Sequence, residues 1–384
     1  MKYISILYVF LFISCMPQKK QTEVESLEDI SDIPFTEIDG KQFICDSVIW
    51  GLDMETLVNN EFIIIRNTRS DYCYDIYRID NEHLIKENSF LKRGNGPREA
   101  VQSYLFKEEN KNMIYLLDFQ GKIKKTYGVS LSDINNVYNT DNWEITDFPT
   151  FDQSILFTSP IAVNDSIWIF PGGRTDSNHI LSKINRKTMK ISPLNFTFPE
   201  FNLKTDKTIA QLLIYGDAHL LKHPSQNKLL YACKVGRYAE IISLGSDAQI
   251  QSHKPIFKVL PEYTISKDYK RHFKDNCLRG MKVCVTEKFI YCLPVLLTKK
   301  DLRKNKRYNN FPNNFSDEIY VFDWEGVLKS KYKLDTPVVT ITVDEKDSYL
   351  YAGTMDESGE FVIRYYNISN KHLNEQNSNT QVSK

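Results

Sequence analysis

The sequence predicts an all-β chain, a six-bladed β-propeller whose ring is closed by an N-terminal strand. Three observations carry this. Hairpins of one type recur along the chain, they do so at roughly 45 to 60 residues, and no linker divides the middle. A fixed β period of that size marks small sheets that cannot bury both faces alone. Two β-sandwich domains are the alternative, and the missing linker argues against them. The 22 Tyr and 22 Phe suit pleated surfaces, where aromatic rings pack well.

The hairpin is clearest at 318–334. Ile319, Val321 and Val327 favour strand, and Asp323-Trp324-Glu325-Gly326 reads as a turn with glycine where positive φ is needed. Earlier units follow in order. Phe62-Ile63-Ile64-Ile65 is an unbroken apolar run suited to a strand covered on both faces, and alternating Asp75–Asp80 follows it. The second unit has Met113–Asp118, a turn at Gln120-Gly121 and a lysine-bearing strand at 122–127. The third has Ser166–Phe170, a loop at Gly172-Gly173 and His179–Asn185. The fourth pairs Lys228–Cys233 with Tyr238–Leu244, and the fifth joins Lys288–Leu293 to the hairpin at 318–334. The sixth has Ser348–Gly353 and Gly359–Tyr366. Each unit is read as one inner strand, a turn and an outer strand. An extended segment, Gln42–Trp50, is expected to pair into the last blade and so remove an exposed sheet edge. Helix is expected only at Lys267–Arg279 and, as a single turn, at Leu131–Val137.

The N-terminus differs from the rest. Lys2 precedes the apolar run Ile4–Ile13, which is shorter than the about 20 residues of a membrane-spanning helix and fits a secretory signal. Phe12-Ile13-Ser14-Cys15 resembles a bacterial lipobox, so Cys15 is expected to carry lipid and anchor the chain to a membrane. The domain reading is therefore a signal peptide at 1–15, a flexible tether at 16–37, the propeller at 38–370 and a disordered tail at 371–384. The location expected is the cell envelope, with the membrane face left open by Lys19 and Lys20.

Charge excludes some partners. Lys plus Arg and Asp plus Glu number 49 each, so nothing suggests nucleic acid. The dense basic run Lys299–Tyr308 reads as a solvated loop that could also meet lipid headgroups or an acidic glycan. Cys45, Cys73, Cys233, Cys277, Cys284 and Cys292 form no Cys-x-x-Cys pair and have no histidine at ligand spacing; they read as small buried hydrophobes. His219 and His223 are spaced as ligands on a helix would be, but their surroundings read as strand and loop. No cofactor or metal is expected, Gly-x-Ser-x-Gly is absent, and no carboxylate pair can be nominated for glycosidic chemistry.

Between the first two units lies Leu91-Lys92-Arg93-Gly94-Asn95-Gly96-Pro97-Arg98-Glu99-Ala100. This resembles the Gly-x-Gly-Pro-x-Glu signature of TolB-like six-bladed propeller lipoproteins of Gram-negative gut bacteria, relatives of NHL-type propellers. Asp118, closing an apolar strand, matches their strand-then-Asp pattern. The resemblance implies an envelope lipoprotein without established enzymatic activity. Gly94 and Gly96 permit unusual backbone angles and Pro97 stiffens the turn. The turn either joins two blades, with Glu99 and an arginine satisfying local groups, or presents Arg93 or Arg98 to an anionic ligand. Arg174, after Gly172-Gly173, is a further candidate cation at one end of the channel.

The function expected is a binding or scaffold module for a glycan, a peptide or a protein partner. The rival is a propeller enzyme acting on carbohydrate, a lyase or hydrolase. Convergence of His, Arg, Tyr and carboxylates in the central channel would favour the enzyme.

Overall fold

The computed structural model describes residues 33–369, apart from 52, 109–111, 119–124, 148–154, 158–159, 176, 200–207, 267–269, 279, 296–297, 299 and 301–314. Six blades stand in a ring. The innermost strands are Met54–Val58, Ser103–Glu108, Ile161–Asn164, Ala218–Lys222, Met281–Val285 and Thr340–Val343. Each packs against the innermost strand of the next blade, and Thr340–Val343 meets both Met281–Val285 and Met54–Val58, which closes the circle.

The apolar strands legible in the sequence are not these. Phe62–Arg66, Met113–Asp118, Ile167–Arg174, Lys228–Cys233, Phe289–Pro294 and Tyr349–Met355 are second strands. They are covered on both faces by neighbouring blades, so their apolar runs are continuous. The innermost strands face the channel and carry Glu55, Lys107, His219, Lys222 and Lys282 among their apolar residues, which masks their periodicity.

The hairpin at 318–334 is the third and fourth strand of blade five, Ser316–Asp323 and Leu328–Val338. Gly326 takes φ +74°, and Asp323 Oδ1 accepts from the amides of Glu325 at 2.9 Å and Val327 at 2.8 Å. Val327 lies in the turn and is exposed, not in a strand. Asp356 caps the turn ending at Gly359 in the same way, through the amides of Ser358 and Glu360. The Gln120-Gly121 turn lies outside the described residues.

Closure is more distributed than expected. Lys41–Gln42 pairs with the last blade, antiparallel to Phe361–Asn367, as its fourth strand, and the Phe43 amide adds one bond to the Ile363 carbonyl at 3.0 Å. Phe35–Ile38 runs parallel to Leu328–Val338 on blade five, and Ile44–Cys45 runs parallel to His83–Arg93 on blade one. Eleven residues thus cover the outer edges of three blades, each too briefly to show a strand pattern in sequence. Phe43 fixes the segment, with its ring centroid 4.6 Å from that of Tyr365. Part of the stretch read as tether, from Phe35, is therefore strand.

Two helical expectations are revised. Arg271–Phe273 is a strand paired with Tyr263–Ile265, since the aromatic and β-branched residues there favour a hairpin. The single helical turn is Asn135–Tyr138, and a helix at Thr208–Tyr215 had no counterpart in the sequence reading. Cys45, Cys73, Cys233, Cys277, Cys284 and Cys292 are all free thiols. Burial pushes the Cys233 thiol up to about 11, so it behaves as a small apolar residue. Cys15 lies outside the described residues, as does the basic run apart from Lys300.

Candidate functional site at the channel mouth

Inner strands that all run the same way gather their first residues at one face. A channel cavity of about 320 Å³ runs along these strands, and at that face it is lined by Asp53, Glu55, Tyr104, His219 and Lys282, with Arg66 and Lys234 arriving from the ends of second strands. The volume lies at the lower end of small-ligand sites.

Ion pairs order this mouth. Lys282 Nζ lies 3.0 Å from Asp53 Oδ1, joining blades five and one. Arg66 Nε lies 2.7 Å from Glu55 Oε1, and Lys234 Nζ lies 3.0 Å from Asp217 Oδ1. Burial alone would raise the Asp53 carboxyl, but Lys282, then Arg66 and Lys234, hold it below its ordinary range. At Glu55 burial wins, and its carboxyl stays above the ordinary range despite Arg66.

His219 sits within this charge. Burial first, then Lys282 and Lys234, push its imidazole well below the ordinary range, so it is neutral at pH 7. Its Nε2 has no hydrogen-bond partner among the described residues. The side chain is partly accessible because the channel reaches it, although it lies deep in the ring. His223, four residues on, turns away. It is buried beside Trp324, and its Nδ1 accepts from the amides of Ser225 and Gln226, both at 3.1 Å. No group of three or more His, Cys, Asp or Glu suited to a metal occurs among the described residues.

The glycine-rich turn lies on the same face, where blade one passes to blade two. Glu99 Oε2 accepts from the Gly96 amide at 2.9 Å, and a Cβ at Gly94 would come within 2.0 Å of that oxygen. A larger residue at 94 would have to displace the Glu99 carboxylate, and with it the bond to the Gly96 amide. Arg93 donates to the carbonyls of Ser70, at 3.1 Å, and Asn67. Arg98 pairs with Asp141 across to blade two. Arg93 and Glu99 are therefore engaged within the turn, while Arg98 is on its exposed side. Arg174 ends the second strand of blade three, the counterpart of Arg66 in blade one, and is exposed outside the cavity.

The structure thus brings His219, weighed in the sequence only as a metal ligand, together with Arg66, Tyr104, Asp53 and Glu55, which the sequence did not single out. Asp53 and Lys282 are separated by 229 residues, and only ring closure makes them neighbours. The single signal available was the presence of charged residues inside short strand-like segments.

A closed ring of six antiparallel blades with a charged channel mouth defines a six-bladed β-propeller. The chain belongs to the TolB-like 6-blade propeller-like family, whose model matches residues 36–346. No curated protein matches it. Among solved structures it is similar to a protein from Lactobacillus plantarum at 12% identity, covering 79% of this chain and 81% of that one, with a TM-score of 0.38. It is also similar to the Dos1 propeller at 12% identity, covering 85% of this chain and 95% of that one, with a TM-score of 0.44.

Proposed function

We propose that this protein is a lipid-anchored envelope propeller that binds a small polar ligand at the channel mouth. The observation that carries the reading is the meeting of three ion pairs and a neutral histidine at one cavity of about 320 Å³. The surrounding blades make a rigid support, and the loops of that face supply the rim. On this reading Arg98 and Arg174 act at the rim, while Arg93 and Glu99 hold the turn that carries Arg98. Lipid on Cys15 keeps the propeller at a membrane, and C15A is expected to abolish fatty-acid labelling and free the protein from the membrane fraction.

The test is a thermal-shift screen of the full chain against glycans and peptides, since a ligand of the folded state raises its melting temperature. A hit is expected to lose its effect in R66Q. A panel with no hit would turn the search to a protein partner, through crosslinking in intact cells.

A carbohydrate-active enzyme is the second reading. It is favoured by one observation, the shared cavity of His219, Arg66, Tyr104 and the two carboxylates. Neutral His219 could accept a proton, whereas Arg66 is held by Glu55. Incubating each hit and looking for new reducing ends or an unsaturated product separates the two.

A further inference from the structure

The whole chain carries equal numbers of basic and acidic side chains, 49 of each. Its channel does not share that balance. Five lining side chains are lysine or arginine and three are carboxylates. Arg66, Lys234 and Lys282 stand at the mouth with Asp53 and Glu55, and Lys107, Lys222 and Glu108 at the far ends of their inner strands. Two of those carboxylates are engaged beside their own strands. Glu108 accepts from the Tyr115 hydroxyl at 2.8 Å, and Glu55 lies 2.7 Å from Arg66. Lys234 lines the cavity, whereas its partner Asp217 does not. An ammonium has three donors, so Lys234 and Lys282 can each keep the present carboxylate and still reach a ligand oxygen. A cationic lining between low-dielectric walls concentrates anions.

We propose that the ligand of this mouth is a small organic anion, its carboxylate or phosphate oxygens held by the ammonium groups of Lys234 and Lys282. The inference rests on the mouth being a ligand site and adds the charge of what it takes. Lysine supplies point charges, not a planar fork, so either oxyanion suits it. The cavity accommodates a group the size of one sugar ring. Neutral His219 adds no charge beside the two lysines, and Asp53 is the one lining carboxylate that competes with the ligand for Lys282.

The experiment is titration calorimetry of the full chain with glucuronate, glucose 6-phosphate, glucose and glucosamine at two salt concentrations. An anionic sugar is expected to bind at least about tenfold more tightly than glucose, with affinity falling as salt rises. K282Q and K234Q are each expected to weaken it about tenfold. D53N is expected to strengthen it several-fold, which keeps the test meaningful should a lysine variant fold poorly. Glucuronate against glucose 6-phosphate separates the carboxylate from the phosphate source. Glucose or glucosamine binding as tightly as the anions would overturn the anion inference and leave the mouth a ligand site. No binding by any of the four would overturn the anion inference, and the wider glycan and peptide screen would then decide the mouth itself.

Discussion

The channel mouth and the junction of blades five and six use the same kinds of side chain to opposite ends. At the junction Asp347 is buried, and one of its oxygens accepts from Thr286 Oγ1 at 2.7 Å and Tyr291 at 2.9 Å. The Thr286 carbonyl in turn accepts from Trp324 Nε1 at 3.0 Å. These groups look inward and tie neighbouring blades together. At the mouth, Asp53 and Lys282 also join two blades, but both are partly open to water and retain hydrogen-bonding capacity. The difference is one of solvent access. A polar group closed off by the core must spend its bonds on structure, whereas one on the channel can keep some for a ligand.

The strongest way to break this contrast is D347A. It would remove the carboxylate that accepts from Tyr291 and Thr286 and place alanine at φ +56°, so a loss of about 3 kcal/mol in urea unfolding is expected. T286V, which leaves the carboxylate with fewer donors, is expected to cost about 1–2 kcal/mol by the same measurement. Changes near zero for both would make the junction no more structural than the mouth.

A third prediction concerns pH. Burial lowers the His223 imidazole and outweighs Glu287, so the unfolded chain takes up the proton first as pH falls. Stability from this group is therefore present above pH 6.5 and lost below it, at up to about 1.4 kcal/mol per pH unit until the folded value is reached. Comparing wild type with H223Q at pH 7 and pH 5 isolates that slope. His219 shifts in the same direction, and H219Q should also flatten the dependence. An unchanged slope in both variants would contradict neutral histidines at these positions.

The smallest effect is expected at the mouth. A double-mutant cycle on Asp53 and Lys282 should give a coupling below about 1 kcal/mol, shrinking in salt, because both groups are partly solvated. A coupling as large as that of Asp347 with Thr286 would make the pair a structural clamp.

Sequence by itself determined the architecture. Continuous apolar second strands such as Phe62–Arg66 and Lys228–Cys233 need cover on both faces, and their repetition specifies stacked blades. The turn at Asp323–Gly326 was legible because its backbone demands a carboxylate first and a glycine last. Gly94 and Glu99 could be located as a turn, but not the contact between them.

Tertiary structure decided the rest. Four of the innermost strands mix charged or titratable residues with apolar ones because one edge faces the channel, and all six are short, so little strand pattern stands out in them. The N-terminal segment pairs with three blades through backbone hydrogen bonds, which any non-proline residue can make and no side-chain pattern announces. The mouth itself exists only where strands far apart in the chain begin on one face. Lys282 acquires Asp53 as a neighbour by closure of the ring, a long-range consequence that no local stretch encodes.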